Sequence, residues 1–205
     1  MQSIHKQIIE QIKREQKGKI IFANDFKEFG SGDAIRQVLS RLCKEEFIIR
    51  LSVGIYLYPK ISKQIGIVFP SIEDIAKAIA KREKARIVPT GIYALNRLGL
   101  STQVPMKVVF LTDGAPRVIK VGKKATVKFK KTVAKHLSLK GEISTLVIFA
   151  LKEIGKENVT ESDLQRIKEV LAYENKENIR HDAMLASEWI SEIMIKLSRN
   201  KNEKK

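Results

Sequence analysis

The side chains able to make or break bonds are few and scattered. His5, His136 and His181 fall in three different segments, none with a second His, Cys or carboxylate at the spacing a metal ion needs. Cys43 is the only cysteine, which excludes a disulfide framework and a cysteine-built zinc site within one chain. His181 and Asp182 are adjacent, and neighbouring residues on a helix are expected to point apart. Gly30-Ser31-Gly32 lacks the third glycine of a dinucleotide loop and the Lys-Ser/Thr of a phosphate loop. A nucleotidyltransferase would follow its Gly-Ser with a close pair of carboxylates on a strand, to hold two metals. Here only Asp33 follows, on a helix, and Asp113 stands alone in a turn. The expectation is a protein that is not an enzyme and that carries no metal and no cofactor.

The chemistry that remains is charge. The 205 residues hold 39 Lys and Arg against 23 Asp and Glu, a net of +16. Residues 1–60 have 11 basic and 7 acidic residues, a net of +4; residues 61–140 have 17 and 4, a net of +13; residues 141–205 have 11 and 12, a net of −1. A middle third this basic is suited to phosphate-rich or acidic partners. A lysine-rich solubilising surface is the plainer alternative for that segment. Hydrophobic residues make up 43%, enough for a core. No stretch approaches the roughly 18 uninterrupted apolar residues of a membrane span. The opening MQSIHKQIIEQIKREQ mixes charged and apolar residues where a signal peptide has an apolar block. The expected location is the cytoplasm, with no membrane partner.

Helical spacing of Ile4, Ile8, Ile9 and Ile12 predicts an amphipathic helix from Ser3 to Gln16, stopped by Gly18. A short strand is expected at 20–22 and a short helix at 24–29, with Phe26 and Phe29 inward. After Gly30-Ser31-Gly32 comes a stronger helix, 33–46, whose buried stripe is Ile35, Val38, Leu39 and Leu42. Strands at 47–50 and 55–58 flank a turn and are closed by Pro59. That order is the order of a winged helix-turn-helix. Residues 60–70 read as a linker. Beyond it, Ser71 and Asp74 form a capping-box-like start, Thr90 is expected to cap a helix ending at Gly99, and strands at 108–111, 117–121 and 125–129 read as a three-stranded meander. The remainder reads as helices: 144–154, one capped by Thr160 and Asp163, and a last one over 179–197.

The 33–46 helix has the most specific functional pattern. The major groove admits one helix, which must bury one side and offer short polar and long cationic groups on the other. Gln37 suits adenine, and Arg36 or Arg41 suits guanine. Ser31 and Ser40 suit phosphates, as do Lys44 and the amides at the helix N-terminus. An ordinary charged surface helix would look similar, but would lack the glycine turn before it and the hairpin after it. In the hairpin, Arg50 and Ser52 precede the wing turn, while Tyr56 and Tyr58 divide between packing and contact. In the second half, Lys107, Arg117, Lys120, Lys123, Lys124, Lys128 and Lys130 make the candidate basic surface, Lys128 and Lys130 sharing a strand face by the two-residue period.

The run SGDAIRQVLSRLCKEEFIIRLSVGIYLYP resembles the N-terminal winged helix of the AbiEi-like antitoxins, transcriptional regulators of abortive-infection toxin–antitoxin pairs. The run PTGIYALNRLGLSTQVPMKVVFLTDGAPRVIKVGKKATVKFKKT resembles a later segment of the same family, and together the likeness covers about residues 5–135. The resemblance implies an antitoxin that binds double-stranded DNA at the operator of its own operon and represses it. It further implies a nucleotidyltransferase-like toxin as functional partner, without a stable complex, and antitoxin activity in the second domain. The expected architecture is α+β: a winged helix-turn-helix over residues 1–66, then a basic domain over 67–205 with a small antiparallel sheet and a helical C-terminal portion. A module whose basic domain binds an acidic toxin or other protein is one alternative. An RNA-binding regulator is another, which the scarcity of aromatic platforms disfavours.

Overall fold

The structure, a computed structural model, describes residues 3–122 and 125–199. The chain is α+β and divides into two units, residues 1–79 with 119–125, and residues 80–118 with 126–205.

In the first unit, α1 (Ile4–Arg14) begins at Ser3, whose hydroxyl oxygen accepts the Lys6 N–H, and it buries Ile8 and Ile12. After β1 (Ile20–Phe22), the helix expected over 24–29 is a single 3₁₀ turn, Ala23–Phe26. The Asp25 carboxylate accepts the Phe22 N–H at 2.8 Å, and Phe26 is buried, so one turn suffices to anchor the segment. Helix α2 spans Gly32–Lys44, with Ser31 as its N-cap. Strands β2 (Ile49–Ser52) and β3 (Ile55–Leu57) follow, and the antiparallel sheet order β1-β3-β2 completes a winged helix-turn-helix arrangement. Ile8, Ile12, Phe26, Ile35, Leu39 and Leu42 form its core.

Helix α2 stops on a residue that does not favour the required backbone. Glu46 has φ 58°, its N–H donates to the Cys43 carbonyl, and the Phe47 N–H reaches back to the Leu42 carbonyl at 3.0 Å. Glycine is the residue that takes this left-handed position without strain. Glu46→Gly is therefore expected to raise stability by about 0.5–1 kcal/mol. Denaturant midpoints of the two proteins check this; an unchanged or lower midpoint contradicts it.

Residues 60–70, expected to be a linker, form a hairpin instead. Strands β4 (Lys60–Ser62) and β5 (Gly66–Val68) pair antiparallel, with Ile61 opposite Ile67 and Gly66 at φ 71° after the turn. The expected boundary at 66/67 thus falls inside β5, and the division between the units lies within α3 (Ile72–Arg82). Ser71 and Asp74 cap α3 reciprocally, as expected: the Asp74 N–H donates to Ser71 Oγ at 3.0 Å and the Ser71 N–H to the Asp74 carboxylate at 3.1 Å.

The second unit contains β6 (Ile87–Pro89), α4 (Ile92–Leu98), β7 (Lys107–Thr112), β8 (Arg117–Val121) and β9 (Ala125–Lys131), the end of β8 and start of β9 being counted with the first unit. The three later strands are not a meander. The sheet order is β6-β7-β9-β8, with β6 antiparallel to β7 and β7 parallel to β9. The reason is burial: Val108 and Phe110 lie directly opposite Val127 and Phe129, all four buried, whereas β8 has no fully buried residue and takes the edge. Gly91, at φ 63°, is the residue before α4, so Thr90 is not its cap; the Thr90 N–H and hydroxyl both donate to the Val109 carbonyl.

Helix α5 (Glu142–Ile154) is buried continuously from Ser144 to Leu151, which marks it as the central helix of this unit. Around it pack α4, α6 (Glu161–Leu171) and α7 (Lys176–Leu185). The single helix expected over 179–197 is two. Ala186 is extended, Ser187 has the backbone of an N-cap, and α8 (Glu188–Ser198) begins there. The N-terminus of α5 has no local side-chain cap. Its amides are met from far away: Asp182 accepts the Lys140 and Gly141 N–H groups at 2.8 and 2.9 Å, and Glu174 accepts the Ile143 N–H at 2.8 Å. Gly141 is required by this approach, because a Cβ there would sit 2.5 Å from the Glu174 carboxylate.

Candidate nucleic-acid interface

The predicted face of α2 is exposed throughout. Asp33, Arg36, Gln37, Ser40, Arg41 and Lys44 all face solvent, while Ile35, Leu39 and Leu42 are buried on the opposite side. At 100° per residue these exposed groups form two ridges. Arg36, Ser40 and Lys44 make one, and they line a cleft of about 780 Å³ shared with the wing and the 3₁₀ turn. Gln37 and Arg41 make the other, outside that cleft.

Four cations line the cleft: Arg36 and Lys44 from α2, Arg50 from β2, and Lys27 just after the 3₁₀ turn. No carboxylate is among the lining residues. Tyr56 and Cys43 contribute neutral groups. Burial pushes the Cys43 thiol and the Tyr56 hydroxyl up from their ordinary values, and the nearby Arg50 only partly opposes this. The cleft is therefore cationic with no titrating counter-charge at neutral pH. Arg36 also pairs with Asp33 on the outer, exposed surface, an interaction that is weak in water.

Arg50 lies opposite Tyr56 across the strand pair, and the register slips between Arg50 and Ser52. Such an irregularity bends a strand and re-aims its side chains. Arg50 Nε lies 3.4 Å from the Ser52 carbonyl, so the guanidinium is held back along the wing. The wing tip itself is apolar: Val53 is 82% exposed and Gly54 has φ 70°. Of the two tyrosines, Tyr56 is buried and Tyr58 packs its ring against Phe47 at 5.6 Å.

Two residues of the turn before α2 also have structural duties. Ser31 Oγ accepts the Ala34 N–H at 3.3 Å as the helix cap. Gly30 is small because a Cβ would meet Ile4 Cδ1 at 2.7 Å, so it serves the packing of α1, and it also lines the cleft. Lys27 was not among the residues expected from sequence. Its signal is the Asp25-Phe26 pair before it, which fixes the turn that presents it.

In the second unit, Lys107, Lys128 and Lys130 are exposed and lie on one sheet face, opposite the face of the buried Phe110 and Phe129. Lys120, expected with them, is exposed on the end of β8 that is counted with the first unit. Lys123 and Lys124 lie outside the described residues. Arg117 is engaged internally: it pairs with Glu83 and its guanidinium stands 5.6 Å over the Phe129 ring. Asp113, expected as a turn former, accepts from the Arg86 N–H and Nε, each at 2.8 Å, and these bonds hold its carboxyl below the usual range. No helix among the described residues is long and apolar enough to cross a membrane.

Residues 7–179 match a family of unknown function, DUF6088. The chain belongs to the DUF6088 family. The match to DUF6088 includes α2, the wing and the mixed sheet. No curated protein matches this DUF6088 chain. Among solved structures, the crystal structure of the RV2827C protein from Mycobacterium tuberculosis is similar over 97% of this chain and 82% of that one, at 10% identity and a TM-score of 0.49.

Proposed function

We propose that this chain is a DNA-binding transcriptional regulator that holds duplex DNA between α2 and the β2–β3 wing. In keeping with the AbiEi-like resemblance, it acts as the antitoxin that represses its own toxin–antitoxin operon. The observation that carries the reading is the acid-free cleft. Three separate elements bring four cations to it, beside an exposed ridge of Gln37 and Arg41. Cations set by the backbone of different elements track a phosphate chain, while a bidentate amide or guanidinium on the neighbouring ridge reads base edges.

The division of α2 into two ridges gives the test. On duplex DNA from upstream of the chain's own gene, Gln37→Ala and Arg41→Ala are each expected to cost about 1–3 kcal/mol, with little change on a scrambled duplex. Lys44→Ala and Arg50→Ala should weaken both duplexes alike. Gel-shift titrations of the full chain measure both. Unchanged affinity and selectivity in all four variants removes α2 and the wing from the interface.

A further inference from the structure

A second cationic constellation lies in the other unit, on the 3₁₀ turn Ala134–Leu137 and the C-terminal half of α5. Lys152 places its ammonium 5.2 Å over the Phe149 ring and 3.5 Å from His136 Nε2. An ammonium only donates, so Nε2 is the acceptor and the imidazole proton sits on Nδ1. Nδ1 in turn donates to Thr132 Oγ1 at 2.7 Å, which leaves the threonine hydroxyl hydrogen free to point outward. Phe149 also meets the imidazole edge-on, at 5.7 Å and 76°. The His136 ring is thus fixed on three sides.

The charge at this spot is uncompensated. Lys135 sits one residue before His136 and acts on both His136 and Lys152. Burial first, then Lys152 and Lys135, pull the imidazole below its ordinary value, and burial followed by Lys135 does the same to Lys152. Among the described residues, neither Lys135 nor Lys152 has a carboxylate in ion-pair range. Carboxylates are not scarce nearby in sequence, since residues 141–205 hold 12 acidic residues. The Lys152 ammonium and an ordered hydroxyl flank a clamped imidazole, with Lys135 on the same 3₁₀ turn as His136 and the counter-charge left out.

We propose that Lys135, Lys152, Thr132 and His136 form a binding site for a phosphate group. Phosphoryl oxygens accept from the two ammonium groups and from the Thr132 hydroxyl, and the fixed imidazole keeps Lys152 and Thr132 in position before the ligand arrives. Charge-assisted bonds of this kind are short and strong, and two cations suit an oxyanion better than either does alone. The site does not depend on the reading of α2.

NMR of the isotope-labelled full chain, following the imidazole signals of its three histidines, tests the proposal. Inorganic phosphate at constant ionic strength is expected to shift His136 saturably, leaving His5 and His181 in place. Lys152→Gln and Lys135→Gln, both surface changes, should each weaken that binding about tenfold. A short DNA duplex distinguishes the source of the phosphate. Saturation of His136 at far lower concentration than with inorganic phosphate identifies a nucleic-acid backbone; a response to phosphate alone identifies a free phosphate-bearing ligand. No saturable His136 shift with either probe, or wild-type affinity in both lysine variants, overturns the site.

Discussion

Asp182→Ala is expected to destabilise the second unit by about 3–5 kcal/mol, a large share of any domain's margin. Asp182 is fully buried, and four donors converge on its two oxygens: the Lys140 and Gly141 amides, the Ser144 hydroxyl and His181 Nδ1. Alanine leaves all four without an acceptor, and the amide and hydroxyl at residues 141 and 144 are out of reach of water. Denaturant unfolding of the full chain measures the loss; a change below about 1 kcal/mol would mean that the carboxylate is dispensable. The same group predicts a pH dependence. Burial raises the Asp182 carboxyl, but the bonds from Ser144, His181, Lys140 and Gly141 outweigh it and hold the group below its ordinary value. A carboxyl depressed in the folded state contributes fully above its unfolded value, near 4, and loses that contribution as pH falls through the lower folded value. Wild-type stability should therefore decline more steeply than that of Asp182→Asn below about pH 4.

The second large effect concerns salt. Replacing Lys27, Arg36, Lys44 and Arg50 together by alanine should lower the slope of log affinity against log salt by about 3.6, roughly 0.9 for each phosphate no longer neutralised. At about 0.1 M salt this amounts to a drop on the order of a thousandfold in affinity for duplex DNA. The four side chains are exposed, so folding should be unaffected, and an unchanged melting curve confirms it. A slope within half a unit of wild type would mean that the cleft does not hold the phosphate backbone. The same measurement on a Lys107→Ala, Lys128→Ala and Lys130→Ala variant shows whether the sheet face of the second unit also touches DNA, since only then does its slope fall as well.

Local signals were well written in the sequence. The stripe Ile35, Leu39, Leu42 defined α2, Ser71 with Asp74 and Thr160 with Asp163 capped their helices reciprocally, and Gly99 ends α4 in the left-handed conformation. Partner choice was not. Alternation located β7, β8 and β9 but says nothing about which strand lies beside which, and the matched burial of Val108 with Val127 and Phe110 with Phe129 decided it. The four-residue spacing of Leu185, Trp189, Ile193 and Leu197 runs straight across the Ala186-Ser187 break, which hid the end of α7. The expectation that His181 and Asp182 point apart also failed: His181 Nδ1 lies 2.8 Å from Asp182 Oδ1, because a short carboxylate and a ring can meet beside the helix even at adjacent positions. At the candidate interface the exposed face of α2 was legible, whereas Lys27 depended on how tightly the 3₁₀ turn closes.

The remote capping of α5 bears on the order in which the chain can become protein. The central helix is made before its partners, and the acceptors of the amides at its start arrive with Glu174 and Asp182, some 30 to 42 positions later. A nascent chain that ends before α7 holds Glu174, which accepts the Ile143 N–H, but lacks Asp182, the acceptor for the Lys140 and Gly141 amides and the Ser144 hydroxyl. The second unit is thus closed from its C-terminal side: a chain cut short just before residue 182 has the central helix in full, yet leaves three buried or half-buried donors at its N-terminus without their shared acceptor.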